Sequence, residues 1–179
     1  MTKTKEIPNE IMEKIKALLN ENTIEWNTNQ KNSMYKALRD RFGPEVDELI
    51  DKNIGQDSFA TFKEISALLN DDSLEMFIHL LFDPLTDMGW KMEAKDEDGK
   101  YYRKITYCPK YEMAKKIGAE KLMYLLACRS DHYASKGFNE DICMTRNTTL
   151  MEGGPYCDFC FQMKEKKEKR EVKSDGKNI

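Results

Sequence analysis

A chain of 179 residues is long enough for one domain of ordinary size and too short for two with separately packed functional cores. Apolar residues at 40 % and aromatic residues at 10 % supply a core and exclude a disordered chain. Lysine and arginine total 29 against 32 acidic residues, a net charge of −3, so no surplus of positive charge marks a nucleic-acid partner.

Pro8 through Leu19 carries Ile11, Ile15, Leu18 and Leu19 at helical spacing, with Asn9 placed as a cap. From Ser33 to Ile50, Met34, Leu38, Phe42, Val46 and Leu49 mark one apolar side. Gly43-Pro44 divides that stretch into two helices, because proline disfavours helix in the residue before it and cannot donate a backbone hydrogen bond. A further helical region runs from Ser58 to about Phe82. It is interrupted near Asn70-Asp71-Asp72-Ser73, where a new helix is capped, and ends at Asp83-Pro84.

The pattern then changes. Trp90, Met92 and Ala94 alternate with polar residues, the loop AKDEDGKY supplies a turn, and YYRKITYC resumes the alternation, which predicts a β-hairpin. Pro109 opens a short helix that Gly118 closes, and a longer helix follows from Ala119 to about Lys136. Gly137 ends it. Ile142 to Leu150 and Tyr156 to Met163 form a second hairpin around Glu152-Gly153-Gly154-Pro155. The order predicts an α+β fold: N-terminal helices followed by an antiparallel sheet of two hairpins with two helices between them. Residues 1–163 read as this single domain. Residues 164–179, with seven basic and four acidic side chains, read as a solvated basic tail that leaves the body at −6.

No stretch approaches the roughly 20 apolar residues that span a bilayer, and MTKTKEIPNEIMEKIK has no signal-peptide core, which predicts a cytoplasmic protein without a membrane partner. Five cysteines, an odd number, are expected to stay as thiols in a reducing compartment.

Three groups carry chemistry. Cys128 and Asp131 are three apart in AEKLMYLLACRSDHYASK and emerge on one helix face with His132 beside them, at the edge of the stripe marked by Leu122, Leu125 and Leu126. The plain alternative is a buried cysteine with a solvent-facing aspartate. In the last strand Cys157, Phe159 and Phe161 share one side, and Asp158, Cys160 and Gln162 the other. The Cys157/Cys160 spacing on a strand lacks the helix N-terminus that lowers a redox thiol's pKa, and it has no second close-spaced pair for zinc. Cys108, Cys128, Cys157, Asp131 and His132 remain an open alternative as metal ligands, but no metal or cofactor is called for. Arg146 begins the strand RNTTL, sharing a face with Thr148 and Leu150. It is either the anchor of a ligand's carboxylate or half of an internal pair with Asp131 or Asp158. His79, on an apolar helix, reads as a core histidine rather than a base.

Cys108-Pro109, Cys128-x-x-Asp131, Arg146-x-x-Thr149-Leu150-x-x-Gly153 and Cys157-Asp158-Phe159 together resemble the signature of the L-2-amino-thiazoline-4-carboxylic acid hydrolase family, over about residues 75–163. The resemblance implies hydrolysis of a cyclic amidine C–N bond that opens the thiazoline ring to N-carbamoyl-cysteine, with a small-molecule substrate and no cofactor. On it, Cys128 or Cys108 is the expected nucleophile, Asp131 the proton-transfer group and Arg146 the carboxylate anchor. Cys157, Asp158 and His132 complete the substrate pocket. The competing class is a non-catalytic small-molecule binding or sensor domain resembling vinyl-reductase-type domains. Oligomeric state is not legible.

Overall fold

The computed structural model describes residues 23–165. The Pro8–Leu19 helix and the tail beyond residue 165 lie outside the described residues. Two long helices come first, α1 (Thr23–Phe42) and α2 (Glu45–Leu69), parted at Gly43-Pro44 where Gly43 takes φ +77°. Asn70 ends α2 in the left-handed region, and Ser73 caps α3 (Leu74–Asp87) by accepting the Met76 N–H at 3.2 Å. The expected stop at Pro84 is corrected: α3 runs through it. Leu81, Phe82 and Leu85 pack against the core on both sides of the proline, and that burial outweighs one missing backbone bond.

Strands β1 (Lys91–Glu97) and β2 (Lys100–Tyr107) form the first hairpin around Asp98-Gly99. Then come α4 (Pro109–Ile117), α5 (Glu120–Met123), a π-helical turn Tyr124–Cys128, and α6 (Ser130–Phe138). The single helix expected from Ala119 is thus widened in its middle, with the Arg129 N–H reaching the Tyr124 carbonyl five residues back at 2.9 Å. β3 (Ile142–Thr145) and β4 (Cys157–Met163) complete an antiparallel sheet of order β1-β2-β4-β3.

The second hairpin also differs from expectation. β3 stops at Thr145, so Arg146 follows the strand instead of lying in it. Thr149 caps a short 3-10 turn, Leu150–Glu152, by accepting the Glu152 N–H at 3.1 Å, and this local bond competes with continued strand pairing.

Helices cover one face of the sheet. Phe77 and Phe82 from α3, Phe138 from α6, and Phe159 and Phe161 from β4 meet there, with ring centroids 5.4–5.9 Å apart where they touch. On the opposite face Tyr102, Lys104, Asp158 and Cys160 stay exposed or half-exposed. His79 is corrected from a core residue: it is exposed on α3 and bonds Asp83 one turn on. Helices α2 and α6 pack closely through glycines. A Cβ on Gly137 would stand 2.2 Å from the Phe59 carbonyl oxygen, and one on Gly55 would stand 2.6 Å from the Tyr133 ring. The result fastens α6, which carries Asp131, to the N-terminal helices.

Candidate functional site

The end of β2, the start of α4, the π turn, α6 and the start of β4 converge on one cavity of about 140 Å³. Cys108, Cys128, Asp131, Arg146 and Cys157 all line it, so five of the seven residues singled out in the sequence are brought together. The volume is below the roughly 300–1,000 Å³ of pockets for drug-sized ligands, which limits an occupant to a compact ring. The rest of the wall is mostly apolar, with Leu81, Phe82, Leu85, Ile105 and Phe159 prominent.

Arg146 is 7 % exposed and lies with its guanidinium 4.9 Å from the centre of the Phe159 ring. Its Nη1 donates to Asp131 Oδ2 and its Nη2 to the Cys128 carbonyl, both at 2.8 Å. The internal pair that the sequence left open is therefore present. The π turn explains the second bond. Widening leaves carbonyls at its end for side chains: Ser130 Oγ takes that of Ala127 at 2.9 Å and Arg146 takes that of Cys128.

Burial pushes the Asp131 carboxyl up to about 6, against the opposing pull of Arg146, by charge and by hydrogen bond, and of Lys110. Oδ2 is held by Arg146, while Oδ1 has no partner among the described residues. Burial, reinforced by the Asp131 charge, pushes the Cys128 thiol up to about 12, so it is neutral near pH 7. The Cys157 thiol is raised too, chiefly by burial, while its Sγ accepts the Leu150 N–H at 3.3 Å. Cys108 differs in place: it is the N-cap residue of α4 and makes no side-chain capping bond.

Two expected residues lie elsewhere. His132 is about 100° past Asp131 around the helix, and it faces an open depression with Arg129, Tyr133 and Asn147 that shares Arg146 with the cavity. Desolvation, with Lys136, Arg129 and Arg146 nearby, lowers its pKa. Asp158, on the other side of β4, folds the chain after β3: Oδ1 accepts the N–H groups of Asn147 and Thr148 at 2.9 and 2.7 Å, and Oδ2 accepts Asn147 Nδ2 at 3.1 Å. Although desolvation opposes it, these bonds hold its carboxyl below the usual range. A depressed carboxyl stabilises the fold above its unfolded pKa and loses that contribution as pH falls through the folded one. Asp158→Ala is therefore expected to cost about 1.5–3 kcal/mol at pH 7, toward the lower figure because the group is partly exposed, and less at an acid pH below its folded pKa. Thermal melts at the two pH values check this, and an equal loss at both would contradict it.

Lys110 and Trp90 were missed in the sequence, yet both line the cavity, with the Lys110 ammonium 5.9 Å from the centre of the Trp90 ring. One signal was available. A lysine in the first turn of a helix faces the positive end of the macrodipole, an unfavourable placement that asks for a reason.

Among the described residues no cluster of three or more histidine, cysteine or acidic groups is arranged to hold a metal ion, and no helix is long and apolar enough to cross a membrane. The fold is similar to that of the phenol-responsive sensory domain of the transcription activator PoxR with phenol. The TM-score is 0.50 at 11 % identity, over 76 % of this chain and 74 % of that one, a likeness of fold alone. No curated protein matches the chain. The family model described as L-2-amino-thiazoline-4-carboxylic acid hydrolase matches residues 9–161, which takes in the long N-terminal helices as well as the cysteines, Asp131 and Arg146. By that match, which spans most of its length, the chain belongs to the L-2-amino-thiazoline-4-carboxylic acid hydrolase family.

Proposed function

We propose that the chain hydrolyses a compact cyclic amidine in this cavity, with Asp131 moving the proton. The observation that supports it is the Asp131 carboxyl at about 6, one oxygen pinned by Arg146 and the other without a partner among the described residues, in a cavity sized for a single small ring. Near neutral pH most of it is the carboxylate, poised to take a proton from an attacking water. The water oxygen bonds to the amidine carbon as the C=N electron pair moves onto the ring nitrogen, which receives the proton from Asp131, and a ring bond then breaks as the adduct collapses.

Atom balance decides which bond that is. N-carbamoyl-cysteine keeps both nitrogens on the former amidine carbon, so forming it breaks the ring C–S bond and releases a thiolate. Breaking the ring C–N bond, as the sequence reading had it, would give the S-carbamoyl isomer instead. A thiolate leaves without a strong acid, which suits a site whose two most buried thiols, Cys128 and Cys157, are neutral and whose carboxyl acts as base.

The alternative, covalent attack by a cysteine, is assigned to Cys108, the one of the three at a helix N-cap. Cys108→Ser separates the routes: water attack predicts retained turnover, thiolate attack its loss. With Asp131 as base, kcat/KM rises with pH through about 6 and levels off above. Asp131→Asn should lower kcat by about 10²–10⁴-fold and remove this limb. Mass spectrometry of products from 2-amino-thiazoline-4-carboxylate, across pH, is the test, and a flat profile in the wild type would remove Asp131 from the role.

The second reading is a binding domain that senses a small molecule without converting it. It is favoured by the largely apolar wall and by the fold shared with a phenol-responsive sensory domain. Saturable binding without product from any cyclic amidine would favour it.

A further inference from the structure

We infer that Lys110, not Arg146, anchors the acidic group of the ligand. The inference rests on the cavity being the ligand site, as proposed above.

A ligand carboxylate partly withdrawn from water needs a cation with donors to spare. Among the described residues two side-chain cations line the cavity. Arg146 already neutralises Asp131 and holds the Cys128 carbonyl. Turning it to a ligand would strand both groups. Lys110 has no carboxylate partner among the described residues. Its ammonium is placed over the Trp90 ring, itself part of the cavity wall, and its charge reaches Asp131.

Its place in the chain adds to this. Lys110 follows Pro109 in the first turn of α4, where the positive end of a nine-residue helix and the ammonium repel each other. An anion at the cavity mouth relieves that repulsion and gains from both. The exposed ammonium also marks which end of the ligand faces out: the carboxylate at the mouth, the ring inward against Phe82 and Phe159, and the reacting carbon toward Asp131.

The test is calorimetric titration of the full chain with 2-amino-thiazoline-4-carboxylate and with its uncharged 4-carboxamide, for the wild type and for Lys110→Gln, Lys110→Arg and Lys110→Glu. A charge-assisted anchor predicts that the wild type binds the carboxylate about 10- to 100-fold more tightly than the carboxamide. That ratio should fall to about 1–3 in Lys110→Gln, invert in Lys110→Glu, recover in Lys110→Arg and shrink with added salt. Lys110 is an exposed side chain, so these variants are expected to fold, and a melt of each confirms it. A wild-type ratio near 1, no binding of the carboxylate, or a ratio unchanged by Lys110→Gln overturns the inference. Product formation is scored separately: the ratio without turnover leaves the anchor standing and removes the hydrolase, and turnover with a ratio near 1 does the reverse.

Discussion

Arg146→Met is expected to lose about 3 kcal/mol at pH 7.5, the lower end of the usual penalty for leaving a buried charge without its partner because the Asp131 side chain is 22 % exposed, and clearly less at pH 5. At neutral pH the substitution strands the Asp131 carboxylate and leaves the Cys128 carbonyl without its donor. The sign of the pH dependence follows from Asp131. Its folded pKa is already raised to about 6, and removing the arginine charge that holds it down raises it further. A raised carboxyl is stabilised by its bound proton at low pH, and that contribution is lost as pH rises through the folded value. At pH 5 the variant therefore carries a neutral acid instead of an orphan anion. Urea unfolding at both pH values measures the difference. An equal loss at pH 5 and 7.5 would mean that packing over Phe159, and not the charge, accounts for the effect. Arg146→Lys keeps the charge but loses the two-pronged geometry, and should fall between the wild type and Arg146→Met.

Gly137→Ala is expected to destabilise by about 3 kcal/mol, at the upper end for overpacking. The added carbon would meet the Phe59 backbone, with its oxygen at 2.2 Å and its Cα at 2.8 Å, and no side chain can turn away to make room. The helices α2 and α6 must separate, which outweighs the roughly 0.5–1 kcal/mol gained by replacing a helical glycine. For a chain of this size that corresponds to a fall of about 6–12 °C in Tm. Gly55→Ala makes a useful comparison, because its obstacle is the Tyr133 ring, a side chain that can shift. It should cost less. A Gly137→Ala protein that melts with the wild type would show that the interface is looser than the described geometry.

Periodicity revealed only parts of the long helices, leaving out residues 23–32 and 51–57, and of the apolar side it marked only Val46 is buried, while Met34, Leu38, Phe42 and Leu49 are exposed. Gly43-Pro44 and Ser73 revealed their limits through local backbone chemistry that needs no tertiary contact. The alternation from Trp90 onward showed the first hairpin for the same reason. Pro84 misled because the value of burying Leu81, Phe82 and Leu85 together is a tertiary quantity. The sheet order was beyond reach: β4 pairs with both β2 and β3, and its side-chain alternation is the same whichever neighbours it has. At the site, the cysteines, Asp131 and Arg146 stood out because their chemistry is unusual wherever they sit. Lys110 did not, since one lysine among many becomes distinctive only once a cavity opens beside it.

The widened turn at Tyr124–Cys128 bears on how such a site arises. A helix can absorb one extra residue by swelling a single turn, so that the segments on either side keep their facing and the surrounding core need not repack. Insertion of one codon in an ordinary ancestral helix would suffice to release the carbonyl that now holds Arg146, and deletion of one would return it to the ladder. Chains in this family that lack the extra residue would then share every helix and strand described here while being unable to fix the arginine, and with it the aspartate, in the same place. Gap positions in this short stretch, more than substitutions at the cysteines, are where divergence of activity among relatives should be sought.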